Sequence, residues 1–340
     1  MADHRALSEP DGIGLDWGTS SCRAYLLGDQ GVILARRQGP AGLRSINPGR
    51  GGDPAAFDRA FEQLCGGWLD TWPGLPVIAC GMVGSRRGWV EAPYRELPTD
   101  LVDPALTCAR VRTRRGVELN VIPGLVDLRG LRGVIRGEET QLAGLLDAGL
   151  GDGEEDVVLP GTHSKWVRLK GSVVTGFTTF MTGELYELLS RQSILADLIH
   201  PVTQPQWTAF DRGVDTAAGA VTDGTGLLGV LFSARTLPLT GAMAETDVAD
   251  YLSGLVIGTE LASARASWVR GTSGQLWSLA DSGLSARYRR AALRLGWQAV
   301  HVLEDAAARG LWLTAKAVGL IGSRASTPGT KQDIAPKEGR

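Results

Sequence analysis

Twice along this chain a short apolar strand runs into a small polar loop and returns as a hairpin. The first copy is Ile13-Gly14-Leu15-Asp16, a polar loop, and strands over Arg23 to Leu27 and Val32 to Arg36 joined by Gly28-Asp29-Gln30-Gly31. The second is Val157 to Leu159, the loop Pro160-Gly161-Thr162-His163-Ser164-Lys165, and strands over Trp166 to Leu169 and Ser172 to Phe177 around Lys170-Gly171. The two copies are not alike in sequence, so the pattern suggests a structural duplication in an α/β protein, each half presenting a loop at a strand end. The glycine-rich acidic stretch from Gly149 to Glu155 marks an internal boundary between them.

Length agrees with two halves: 340 residues suffice for two domains that bury their own cores. Lys plus Arg (35) against Asp plus Glu (37) leaves a net charge of −2, which offers no overall field for nucleic acid or an acidic membrane surface. The four cysteines form no C-x-x-C pair, and no run of about 18 apolar residues occurs, so a zinc ribbon, a disulfide framework and a membrane span are not signalled. Met1 to Gly12 is polar and lacks the apolar core of an export signal; the expected location is the cytoplasm.

Between the two copies, Asp53 reads as the N-cap and Pro54 as the first residue of a helix whose inner face is Phe57, Phe61, Leu64 and Trp68, stopped by Trp72-Pro73-Gly74. Val77 to Ala79 leads into the glycine-punctuated loop Cys80 to Trp89, and Leu119 to Ile122 reads as a strand. Gly137-Glu138-Glu139-Thr140-Gln141 opens a helix with its acids in the first turn, where the helix dipole favours them. From Glu184 onward the chain reads as mainly helical, most clearly over Tyr251 to Ala266 and Ala286 to Ala308, and the polar tail after Gly322 is expected to be disordered.

Several residues have the chemistry for phosphate. Asp16-Trp17-Gly18-Thr19-Ser20-Ser21 combines a carboxylate suited to the waters of a magnesium ion with hydroxyls and backbone amides suited to phosphate oxygens; taken alone it is equally a plain Asp/Ser/Thr turn. Gly161, Thr162, His163 and Ser164 repeat the logic, and Lys165 adds a point charge. Glu138 and Glu139 lie between the two loops in sequence, where either serves as a general base or simply complements the helix dipole. Arg86 suits a substrate carboxylate and Trp89 a sugar face, although surface arginines commonly do neither. No G-x-x-x-x-G-K-[ST] occurs.

Asp16-Trp17-Gly18-Thr19 resembles the first phosphate motif of the actin, Hsp70 and sugar-kinase superfamily. With Arg23, Cys80 to Arg86, Gly88 to Tyr94, Arg136 to Gln141, Pro160 to Trp166 and Thr179 to Leu185 in matching order, the chain resembles the 2-dehydro-3-deoxygalactonokinase family from about Ile13 to about Gly322. The resemblance implies two RNase H-like (actin-like ATPase) domains flanking a cleft, over 11–135 and 136–322, followed by the tail 323–340. It implies transfer of a phosphoryl group from ATP, with Mg²⁺, to the 6-hydroxyl of the sugar acid 2-dehydro-3-deoxy-D-galactonate.

On that likeness Asp16, Gly18, Thr19 and Ser20 form the first phosphate loop with Asp16 toward the metal, and Gly161 to Lys165 form the second. Glu138 is carried over as the base, in place of the Asp of broader sugar kinases, with Glu139 as the alternative. Ser85, Arg86 and Trp89 fall on the substrate loop, and Gly254 to Glu260 with Gly271 to Gly274 fall where such kinases bind adenine. The implied partners are the sugar acid and ATP, with no nucleic acid or membrane; a homodimer is left open. Competing readings are a kinase for the gluconate epimer, a non-catalytic sugar-sensing protein of the same fold, and an exopolyphosphatase-like hydrolase.

Overall fold

A computed structural model of the protein describes residues 9–40, 42–46, 53–150, 153–200, 204–268, 274–280 and 282–322. Its first sheet begins with the antiparallel strands Gly12–Trp17, Cys22–Leu27 and Ile33–Gly39. On the other side of Gly12–Trp17 lie Val77–Gly81 and then Glu118–Val121, both parallel, with Ala109–Arg112 antiparallel at the edge. The second sheet repeats this order. Glu154–Leu159, Ser164–Lys170 and Val173–Phe180 are its antiparallel strands, and Gln275–Ser278 and Ala299–Val302 continue it in parallel. The duplication suggested by the two loops is therefore present in the topology, as two RNase H-like α/β units flanking a cleft.

Side-chain alternation explains how the first sheet is covered on both faces. Ile13, Leu15 and Trp17 pack with Phe57, Phe61, Leu64 and Trp68 of the helix Pro54–Thr71. That helix is capped as the sequence predicts: the Asp53 carboxylate accepts from the Ala55 amide at 2.9 Å, and Pro54 follows it. The opposite face carries Tyr25, Leu27, Ile78 and Cys80 against Leu311 and Trp312 of the helix Ala306–Ala317. Gly14 lies there because a Cβ would come within 3.0 Å of Leu311. Asp16 falls on the same face, at the strand end beyond that helix's cover.

In the second sheet, Val157, Leu159, Val167 and Leu169 pack with Leu142 and Leu145 of the helix Glu138–Leu145. The other face packs Val158, Trp166 and Leu276 against the helices Trp207–Thr222, Val248–Ser267 and Ser282–Arg294. The two inner helices, Glu138–Leu145 and Ala306–Ala317, cross at a pair of glycines. A Cβ on Gly144 would lie 2.0 Å from the Ala306 carbonyl oxygen, and one on Gly310 1.7 Å from that of Thr140. Chain segments also exchange across the division at 135/136: Thr99–Asp100 pairs with Val173–Phe180 at the edge of the second sheet, while Ala306–Ala317 covers the first.

The helix expected over 286–308 is two helices with a strand between them. Gly296 has φ of 91° and ends the helical run, and Ala299–Val302 joins the second sheet. The tail 323–340 lies outside the described residues.

Candidate active site

Asp16 ends the strand Gly12–Trp17, directly opposite Arg23 on the neighbouring strand. Among the described residues its carboxylate has only loose partners: the Arg23 guanidinium at 3.8 Å and the Cys80 thiol at 3.9 Å. Burial pushes its pKa up, Arg23 offsets part of this, and the negative charge of Glu138 raises it further. The loop that follows turns tightly, with the Gly18 amide donating to the Ser21 carbonyl at 2.9 Å, and leaves Thr19 and Ser20 exposed. Its carbonyls are engaged from outside, since the Leu43 and Arg44 amides donate to Gly18 and Thr19. Among the described residues no backbone carbonyl accepts the Thr19 and Ser20 amides, which leaves two donors on an anchored, exposed loop.

Glu138 and Glu139 reach this point through two glycines. Gly137 has φ of 106° and Gly81 of 89°, and a Cβ on Gly137 would approach the Gly81 Cα to 3.2 Å. The helix thus starts directly over the end of Val77–Gly81, the strand beside Asp16. Its two acids then diverge. Glu138 keeps 24% of its side chain exposed, accepts from the Arg136 amide at 2.8 Å and faces the Lys165 ammonium at 3.5 Å. Glu139 is buried, accepts from the Gly137 amide at 2.7 Å and the Thr140 hydroxyl at 3.2 Å, and is pushed up to about 7 by burial first and by Glu138 second. Exposure therefore favours Glu138 as the group that can meet a substrate.

The second loop sits on the start of the helix Thr182–Gln192: the Glu184 amide donates to the Thr162 carbonyl at 2.9 Å, and Gly183 lies so close that a Cβ would come within 2.4 Å of the Gly161 oxygen. Thr162 and His163 are exposed, and the His163 Nε2 meets the Glu184 carboxylate at 2.5 Å. Two further residues expected to touch nucleotide turn inward. The Ser164 hydroxyl is fully buried against Tyr288 at 2.9 Å, and Tyr288 in turn donates to buried Glu260, which also accepts from the Trp166 indole. Lys165 is almost wholly buried and bonds the His163 carbonyl at 3.1 Å, so its charge faces Glu138 from beneath the loop.

Beside the second loop is a cavity of about 470 Å³ lined by Thr162, Tyr186, Ser253, Ile257, Leu284 and Arg287 among others. It has the size and mainly apolar wall that a nucleobase needs. Gly254 does not serve it directly: a Cβ there would come within 2.1 Å of the Phe210 carbonyl, so this glycine lets two helices pack closely while Ser253, Val256 and Ile257 face the cavity. Gly271 to Ser273 lie outside the described residues.

The loop expected to meet the substrate holds three of the predicted residues. The Arg86 side chain is 89% exposed and its ion-pair partner is Glu91 at 3.8 Å. Trp89 stacks on Phe57 at 5.9 Å and also contacts Trp17 and Phe61, so its ring packs at the edge of the core and is only partly exposed. The Ser85 hydroxyl closes its own turn onto the Met82 carbonyl at 2.8 Å. Sequence reasoning missed the Glu260 network, although an acid in the middle of the largely apolar helix Val248–Ser267 was its signal. It also missed Arg136, whose amide bonds Glu138 and which stands inside a motif already quoted.

Among the described residues no cluster of three or more His, Cys, Asp or Glu could hold a metal by protein ligands alone. Asp16 does fit the alternative, since Mg²⁺ is usually bound through one or two carboxylates with phosphate oxygens and water completing its shell. A buried carboxylate that is loosely paired and repelled by Glu138 is stabilised by such a cation.

Comparison with known proteins identifies the family. The family model described as 2-keto-3-deoxy-galactonokinase matches residues 16–314. A protein described as a 2-dehydro-3-deoxygalactonokinase from Rhizobium meliloti (strain 1021) is 37% identical over 314 residues, covering 88% of this chain and 96% of its own. The 2-dehydro-3-deoxygalactonokinase of Escherichia coli (strain K12) is 34% identical over 303 residues, covering 87% and 94%. A crystal structure described under the same enzyme name, from Sinorhizobium meliloti, superposes with a TM-score of 0.75 at 33% identity, over 90% of this chain and 99% of that one. With its two loops, its cleft carboxylates and these matches over nearly its whole length, the chain belongs to the 2-keto-3-deoxy-galactonokinase family.

Proposed function

We propose that the protein transfers the γ-phosphoryl group of ATP to the 6-hydroxyl of 2-dehydro-3-deoxy-D-galactonate, giving 2-dehydro-3-deoxy-6-phosphogalactonate and ADP. The observation that carries this reading is the position of Glu138: a partly exposed carboxylate beside Asp16 in the cleft and facing Lys165 of the second loop. A group so placed accepts the proton of an incoming hydroxyl while the phosphoryl group moves between the loops. Glu139, buried and bonded to Gly137, fixes the turn that presents Glu138.

The amides of Thr19 and Ser20 and the loop from Gly161 to His163 hold phosphate oxygens, and the cavity beside Tyr186 and Ile257 takes the base. Asp16 holds Mg²⁺, which neutralises phosphate charge when bound. The inner helices cross through Gly144 and Gly310 with their backbones in contact, an arrangement suited to closing the cleft and excluding water. The same reading places the reaction in the cytoplasm, with neither nucleic acid nor membrane involved; no helix among the described residues is long and apolar enough to cross one.

The test is ADP formation with Mg-ATP and 2-dehydro-3-deoxy-D-galactonate, beside the gluconate epimer and a control without acceptor. ADP that depends on acceptor and favours the galactonate form supports the reading. Equal ADP without acceptor identifies a hydrolase instead.

A further inference from the structure

A sugar acid brings a carboxylate into the cleft, and Arg86, the cation first suited to it, faces solvent. Another guanidinium belongs to the segment whose backbone bonds Glu138. Arg136 follows the strand Gly133–Ile135 of a small three-stranded sheet, in which Ile135 pairs with Leu125 and Leu125 with Arg95. The sheet thus brings Tyr94 and Arg136 side by side, two residues before Glu138. The Arg136 guanidinium lies over the Tyr94 ring, 4.2 Å from its centroid. Its Nη2 donates to the Ala92 carbonyl at 2.9 Å, and its Nε makes only a long 3.4 Å contact with the Tyr94 hydroxyl.

Two features set this cation apart. Among the described residues no carboxylate lies within ion-pair distance of its guanidinium, and its buried Nη1 has no hydrogen-bond acceptor. A guanidinium so short of acceptors carries a desolvation cost that an incoming anion relieves. The side chain is also fixed in place. A Cβ on Gly84 would come within 2.9 Å of Nη1, so the loop after Val77–Gly81 has a glycine where this guanidinium passes. The Arg136 amide meanwhile bonds the Glu138 carboxylate at 2.8 Å, which ties the cation and the base to one short segment.

We propose that the Arg136 guanidinium, with the Tyr94 hydroxyl at its edge, binds the carboxylate of the acceptor and makes the enzyme select a sugar acid over a neutral sugar. The assignment rests on the reading that the reacting hydroxyl lies at Glu138. The carboxylate and the 6-hydroxyl are the two ends of the acceptor, so a cation near the base but on a different element's surface can hold one end while Glu138 meets the other. Guanidinium is suited to this task because its planar fork matches a carboxylate with two parallel hydrogen bonds. The 3.4 Å contact between Nε and Tyr94 is weak enough to be exchanged for it.

The test compares 2-dehydro-3-deoxy-D-galactonate with its analogue in which the carboxylate is replaced by hydroxymethyl. Arg136→Ala is expected to lower the ratio of kcat/KM for acid over neutral acceptor by about 100-fold, mainly through KM for the acid. Arg136→Lys recovers part of that ratio, and Tyr94→Phe lowers it by about fivefold. Thermal unfolding and KM for ATP establish that each variant is folded. An unchanged ratio in Arg136→Ala overturns the proposal, as does an equal fall in kcat for both acceptors with KM unchanged, which would mean that Arg136 only seats Glu138. Glu138→Gln, which lowers kcat on both acceptors if the base is correctly assigned, separates failure of this assignment from failure of the underlying reading.

Discussion

The two strand-end loops proposed to hold phosphate occupy equivalent places in their sheets, yet their side chains are used differently. In the first, the ionisable residue is loosely held: among the described residues Asp16 has partners only at 3.8 and 3.9 Å and looks into the cleft. In the second, Ser164 and Lys165 bond to Tyr288, the His163 carbonyl and Glu138, so its polar side chains build the loop from below. The buried acids behind the loops differ in the same sense. Glu260 has side-chain hydrogen bonds to Trp166, Tyr288, Thr182 and Ser164 that counter the effect of burial, whereas Glu139 has one hydroxyl, backbone amides and a repelling neighbour in Glu138. Duplicated topology thus carries an unequal division of labour: one half supplies charge for ligands, the other a rigid cradle.

Substitutions that move charge should therefore hurt the first loop most. Asp16→Asn is expected to lower kcat/KM about 10³-fold and to raise the Mg²⁺ concentration needed for half-maximal rate; a loss below tenfold in a magnesium titration would remove the asymmetry. Glu139 sharpens the contrast through stability. Its folded pKa of about 7 lies above the usual 4.5, so the folded state binds more protons between these values and stability falls as pH rises through that window. The loss amounts to about 3 kcal/mol and is complete above pH 7. Urea unfolding from pH 4.5 to 8 should show this slope in the wild type and a flatter one in Glu139→Gln. The smallest effect is expected at Ser164→Ala, about 1 kcal/mol of stability with KM for ATP changed less than about twofold. A kinetic loss there equal to that of Asp16→Asn would mean that both loops bind ligand alike.

Much of the framework was legible in the sequence, because its signals were local. Asp53 and Pro54 with four apolar residues at helical spacing specified the helix Pro54–Thr71, and both strand–loop–hairpin units stand where the alternation put them. Gln275–Ser278 and Ala299–Val302 were not legible as strands: Ala299–Val302 lies inside a segment that reads as one helix, and each strand gains its place from the parallel neighbours that it meets in the fold. At the site, residue type was a poor guide to direction. Arg86 and Trp89 have suitable chemistry, yet one pairs with Glu91 at the surface and the other completes an aromatic cluster with Phe57. Glu138 and Glu139 are adjacent and alike in sequence, and only burial tells them apart.

That distinction is also the most direct test of the account. Single-turnover phosphoryl transfer to 2-dehydro-3-deoxy-D-galactonate should fall about 10³-fold in Glu138→Gln and less than about tenfold in Glu139→Gln. The reverse order, with Glu139→Gln the slower variant and Glu138→Gln close to wild type, would contradict the assignment of Glu138 as the base.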